Sequence, residues 1–209
     1  AARRASLYRD RGARREYDDE TRARLDRWHP DLVLLDGYLF VLTAPMLDAY
    51  GGRMLNLHFS DLSIRRPDGR PLYAGIRAVR DALRAGETDT CATVHVVTEE
   101  PDGGPQLVRS EPFPVSPLVG RAREWGADDM LKAYAFAHQE WMMQAASGPL
   151  LAAAVALVAS AQVDLEKLAR RDPATVVPWL VDAQGRLTPP SALHICERLW
   201  GYQRAEART

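Results

Sequence analysis

Between residues 31 and 98 short apolar runs alternate with helix-length segments, and each switch falls on a turn signal. The first run, in DLVLLDGYLF, has four apolar residues at 32–35, bounded by Asp31 and by Asp36-Gly37. A run that short, with no polar face, suits a parallel strand covered on both sides. A short helix at 45–50, a strand at 54–59, a helix at 75–85 stopped by Gly86 and a strand at 92–98 follow from the same reading. Repeated units of this kind predict the α/β class: a mostly parallel, twisted, Rossmann-like sheet with helices on both faces. With 209 residues the chain is long enough for one such core and too short for two.

The flanks are read in the same way. Residues 18–28 carry charges at most positions, with Leu25 and Trp28 three apart, and predict a surface helix whose narrow buried stripe holds those two. His29-Pro30 ends it. Residues 106–115 predict one more strand, with prolines towards its end. Two helices are expected at 127–143 and 149–161, separated by Ser147-Gly148-Pro149. A helix at 164–171 and a hairpin around Ala183-Gln184-Gly185 complete the chain. The most apolar stretch, residues 148–161, is shorter than the roughly 20 residues of a membrane span, so a buried helix is expected there and no membrane segment.

Twenty-seven basic residues stand against 28 acidic ones, which leaves no overall field to attract nucleic acid or an anionic membrane. The expected partner is a small molecule. Cys91 and Cys196 are too distant for a metal motif and too few for a disulfide scaffold, so a reducing cytoplasm fits. The sequence has no lysine-bearing phosphate loop, no His-Glu-x-x-His and no nucleophile elbow. No metal is expected.

Three places could carry chemistry. In LNLHFS, Asn56 and His58 alternate with Leu55, Leu57 and Phe59, so both polar side chains leave the strand on one face. An amide and an imidazole at the C-terminal end of a strand can both reach an oxygen that becomes negative, as acyl transfer requires. A pair of satisfied core residues is the plainer alternative. In TEEPDGGPQ, Asp102 precedes a Gly-Gly turn that lets backbone approach a ligand closely; the plainer alternative is a turn aspartate bonded to its own backbone. His95, alone in ATVHVV, is expected to be a packed, hydrogen-bonded strand residue and not a catalyst. Met130, Met142 and Met143 are expected to be core.

Taken together, DLVLLDGYLFVLT, GGRMLNLHFS, GIRAVRDALRAG and CATVHVVTEEPDGGPQLVRSEPFPV resemble the folate-dependent formyltransferases, most closely the branch that formylates glycinamide ribonucleotide in purine biosynthesis. The likeness covers residues 31–115. It implies a formyltransferase that uses 10-formyltetrahydrofolate as formyl donor and a primary amine as acceptor. In that family an Asn-x-His and the Asp of a DxGP loop form the catalytic set, which assigns the role to Asn56, His58 and Asp102. The resemblance also implies that Leu39, Phe40, Val41 and Leu42 line the pterin pocket with Thr98, Glu99, Glu100 and Pro101, and that Glu140 of HQEW holds the substrate's ribose.

The chain departs from the family pattern in three places. Phe59 stands where a proline follows the histidine, and a longer loop comes after it. Phe40 replaces an arginine. No opening strand or Gly-Ser-rich phosphate loop precedes Asp31, so residues 1–161 are expected to form a formyltransferase-like catalytic domain incomplete at its N-terminus, and residues 162–209 a C-terminal extension. A homodimer is compatible with this reading. A formyltetrahydrofolate hydrolase, an amino-sugar or aminoacyl-tRNA formyltransferase, and a catalytically idle folate-binding protein stay open as alternatives.

Overall fold

The structure, a computed structural model, describes residue 7 and residues 9–190. In chain order its elements are α1 (Arg11–Leu25), β1 (Val33–Leu35), α2 (Ala44–Tyr50), β2 (Met54–His58), α3 (Ala78–Ala85), β3 (Asp89–Thr90) and β4 (Thr93–Val96). They continue with β5 (Gln106–Ser110), β6 (Phe113–Pro114), α4 (Leu118–Glu124), α5 (Asp128–Ala159), α6 (Leu165–Ala169), β7 (Trp179–Val181) and β8 (Leu187–Thr188).

The main sheet orders its strands β1-β2-β4-β5-β7-β8, and β3 pairs with β6 in a separate ribbon. β1–β2 and β5–β7 are parallel, whereas β2–β4, β4–β5 and β7–β8 are antiparallel. The sheet is therefore mixed, which corrects the expectation of a mostly parallel one. The connection 97–105 is too short for a crossover helix and returns β5 beside β4 as an antiparallel neighbour. The strand expected at 106–115 is likewise two strands: Pro112 has no N–H to offer a ladder, and past it Phe113 and Pro114 pair with Thr90 and Asp89 instead.

Alternation along β2 joins two apolar clusters. Leu55 and Leu57 enter the larger one with Val79 and Leu83 of α3, Met142 and Leu150 of α5, and Leu165 of α6. Met54 joins Met46 and Tyr50 of α2 and Val33 of β1, with Leu25 of α1 packed against them. β1 is the outermost strand of the main sheet among the described residues, so Leu34 is 36% exposed where cover on both faces was expected.

Three helical expectations also change. α1 begins earlier than its apolar residues suggest because Asp10 caps it, accepting from the N–H groups of Gly12 and Ala13. Trp28 lies past its end and is 82% exposed, leaving Leu25 to pack; the helix's buried side chain is Asp18. The two helices expected around Pro149 are one, α5. Proline removes one helical hydrogen bond, but Leu131, Ala135, His138, Met142, Ala146, Leu150, Ala153, Ala154 and Leu157 form one continuous buried stripe through it. By length and composition α5 could cross a membrane; here that stripe packs on the sheet.

In the C-terminal part, Asp164 caps α6 through the Lys167 N–H, and the β7–β8 hairpin extends the main sheet alongside β5. Residues 1–6, Tyr8 and 191–209, with Cys196 and the rest of the expected extension, lie outside the described residues.

Candidate active site

β2 ends at His58, and the loop that follows is tied back to the sheet. The Ser60 hydroxyl donates to the Tyr73 carbonyl at 2.7 Å, and the Thr93 hydroxyl donates to the Ser60 carbonyl at 2.8 Å. At the loop's far end the Gly75 N–H donates to Asp102 Oδ2 at 2.7 Å. Asp102 is thus bonded across the fold and not to its own turn.

The turn that presents Asp102 is built by its neighbours. Asp102 has φ 55, a left-handed conformation that aspartate tolerates better than most side chains. Gly103 donates its N–H to the Glu100 carbonyl at 3.0 Å. Gly104 passes so close to β4 that a Cβ there would lie 1.8 Å from the Val96 carbonyl oxygen. That close approach is what the Gly-Gly pair permits.

Asn56, His58 and Asp102 come together, and His95 joins them. Asp102 Oδ1 lies 3.7 Å from His58 Nδ1 and 3.7 Å from His95 Nε2. These separations exceed a direct hydrogen bond, so the carboxylate acts on both rings through its charge. His95 Nδ1 is 3.0 Å from the Val96 carbonyl, which can only accept, so this nitrogen carries the proton. In the neutral ring Nε2 then accepts from the Asn56 amide at 3.1 Å. One amide hydrogen of Asn56 is held in this way and the other is left for a ligand.

The electrostatics follow from burial and these neighbours. Burial works to raise the Asp102 pKa, but His95, the His58 ring and the Gly75 N–H together outweigh it and hold the carboxyl at about 2, against an ordinary 3.8. For His58 burial wins: it pushes the ring below the ordinary histidine range, with His95 acting the same way, and the pull of Asp102 does not reverse it. His58 is therefore neutral at rest in this cleft. Among the described residues its buried Nε2 meets no hydrogen bond of ordinary geometry, and the Tyr73 backbone, which acts on the ring to raise its pKa, does not reverse the effect of burial.

A stability prediction follows. A carboxyl whose pKa is depressed in the folded state contributes stability above its ordinary pKa and loses it as pH falls through the folded value. Asp102 should contribute roughly 2 kcal/mol at neutral pH, lost between about pH 4 and 2. Denaturant unfolding of the native protein and Asp102→Asn across this range should show the gap between them closing as pH drops; a gap independent of pH would contradict it.

These residues open onto one cavity of about 410 Å³, within the usual size of ligand sites. Asn56, His58 and Asp102 line it with Leu39, Phe40, Val41, Leu42, Thr98, Glu99, Glu100 and Pro101. Glu140 does not. It is exposed, its carboxylate accepts from Gln144 at 3.0 Å, and α5 presents Gln139 and Met143 to the cavity instead. Of the three methionines expected in the core only Met142 is buried; Met130 is exposed and Met143 lines the cavity. The residue that sequence reasoning set aside is His95. It is packed and hydrogen-bonded as expected, yet it also touches Asn56 and faces the cavity. The signal that finds it is the β2–β4 register, which sets His95 directly opposite Asn56.

Known proteins share this part of the chain. The profile of a family described as formyl transferase matches residues 3–118. Phosphoribosylglycinamide formyltransferase of Escherichia coli is 34% identical over 99 residues, 47% of this chain and 43% of the relative. The enzyme of the same name from Haemophilus influenzae is 33% identical over 102 residues, 49% and 44% of the two chains. Among solved structures, glycinamide ribonucleotide transformylase 1 from Symbiobacterium toebii is 31% identical with a TM-score of 0.44, over 64% of this chain and 57% of that one. The chain spans less than half the length of the two bacterial relatives it matches. The profile takes in both strands and both loops that bring Asn56, His58, His95 and Asp102 together, and the chain belongs to the formyl transferase family.

Proposed function

We propose that the chain transfers a formyl group from 10-formyltetrahydrofolate to a primary amine, with glycinamide ribonucleotide as the amine and the cytoplasm as the compartment. One observation carries the reading: Asn56, His58 and Asp102, from a strand end and a distant turn, converge on a cavity that the loops 39–42 and 98–101 also line. Relatives named for formylation of phosphoribosylglycinamide support the choice of amine.

The chemistry is assigned to the chain's own groups. As the amine nitrogen bonds to the formyl carbon, the carbonyl oxygen takes the negative charge, and the free amide hydrogen of Asn56 faces it. His58, neutral at rest, takes the proton released by the attacking amine. The resulting imidazolium is stabilised by Asp102, whose carboxylate is held ionised, and adds its positive charge to the oxyanion site. When the bond from carbon to the donor's nitrogen breaks, that nitrogen receives the proton. His95 acts through Asn56, by fixing the direction of its amide.

The test is donor consumption by the full chain with and without glycinamide ribonucleotide. Deformylated folate should appear only with the amine, matched by formylated product. Formate released without amine would instead identify a hydrolase, transfer to an amino sugar or aminoacyl-tRNA would shift the acceptor, and donor binding without turnover would identify an idle folate-binding protein.

A further inference from the structure

Among the described residues Asp18 is the one carboxylate buried to 1% exposure, and it does not line the cavity. A charge taken out of water is strongly unfavourable unless it is hydrogen-bonded, so its partners show what it holds. Asp18 Oδ2 accepts from the Thr43 backbone N–H and from the Thr43 hydroxyl, each at 2.6 Å. Asp18 Oδ1 accepts from the Tyr38 hydroxyl at 3.1 Å. Tyr38 and Thr43 bracket Leu39, Phe40, Val41 and Leu42, all of which line the cavity. Between the two ends the Phe40 ring meets Tyr17 and Tyr38 edge-on, at centroid distances of 6.4 and 5.9 Å. Adjacent residues of α1, Tyr17 and Asp18, thus grip one cavity-lining loop at its middle and at both ends.

We propose that Asp18 is a positioning residue for the formyl donor: its two carboxylate oxygens hold both ends of the loop 38–43 in the shape that receives the folate. The inference rests on the donor reading given above. The loop has neither helix nor strand until α2 begins at Ala44, so its shape depends on such anchors. A loop already held in the binding conformation does not lose that ordering on binding, and a site that is only fractionally formed binds weaker by that fraction.

The chemistry of substitution separates geometry from charge. Asp18→Asn keeps an oxygen for Thr43 and turns an amide N–H towards the Tyr38 hydroxyl, which can accept. Asp18→Ala leaves Thr43 and Tyr38 without the anchor. In the full chain, Asp18→Ala should weaken a non-transferable 10-formylfolate analogue about tenfold or more and raise the donor KM in parallel, with kcat at saturating donor within about twofold. Amide hydrogen exchange over residues 38–43 should quicken in the same variant without ligand, while Asp18→Asn stays close to the native protein in both measurements. If Asp18→Ala does not fold, Tyr38→Phe, which leaves Asp18 bonded to Thr43, should show the faster exchange at the loop's first residues.

Exchange and affinity unchanged in Asp18→Ala, or Asp18→Asn as impaired as Asp18→Ala, would overturn the proposal. Failure of the native chain to bind the analogue would overturn the donor reading and the ligand assigned to the loop; because the exchange measurement needs no ligand, the two failures are distinguishable.

Discussion

His58→Ala should lower kcat by about two to three orders of magnitude while affinity for the formyl donor changes little. The expectation rests on where the ring sits. Its Nδ1 lies 3.7 Å from the Asp102 carboxylate, and the ring lines the cavity beside Asn56. In the proposed mechanism alanine removes the proton acceptor and the charge beside the oxyanion, whereas the loops 39–42 and 98–101 that line the cavity are left as they are.

Asp102→Asn should cost a comparable factor, because the imidazolium then forms without its counter-charge. The double variant should fall well short of the product of the two losses, since groups that act as a unit lose most of their joint effect with the first removal. Thermal unfolding and turnover should be measured on each variant. Folded His58→Ala protein with native turnover would sink the mechanism, and so would full additivity.

Gly104→Ala should destabilise the chain by about 3 kcal/mol and abolish turnover in whatever remains folded. The added carbon would lie 1.8 Å from the Val96 carbonyl oxygen and 3.2 Å from the Thr98 side chain. The first of these is backbone of β4, a strand hydrogen-bonded on both sides to β2 and β5, so it has no rotamer with which to yield. The turn must move instead, and Asp102 and Pro101 move with it. Gly69→Ala is the control. Gly69, unlike Gly104, has a positive φ, 82, but nothing lies within 4 Å of its Cβ position, so the cost should be limited to the conformational term of about 1 kcal/mol. Equal losses for the two variants, read from denaturant unfolding, would contradict the contact argument.

Much of the site is local chemistry, and local chemistry is legible in a sequence. The alternation of LNLHFS puts Asn56 and His58 on one face of a strand whatever the strand packs against, and DGGP specifies a turn that only glycine permits at Gly104. The apolar runs that became β1, β2 and β4 were legible for the same reason, because each is a single stretch with one period.

What depends on pairing or on opposing faces was not legible. The mixed direction of the sheet, the membership of His95 and the exposure of Leu34 all follow from which strand lies beside which. The continuity of α5 through Pro149 was decided by a buried stripe worth more than one lost hydrogen bond. Glu140 and Gln139 are neighbours in sequence, but a helix turns successive residues about 100° apart, and docking on the sheet chose Gln139 for the cavity. Asp18 shows the limit most plainly. In REYDDETRAR it is one acid among several on a charged helix, and only the fold brings Tyr38 and Thr43 to its two oxygens. The sequence by itself determined which groups are present and which local geometry each can adopt; the tertiary structure decided which of them meet, because a buried charge or an unpaired polar atom is stable only where distant parts of the chain supply its partners.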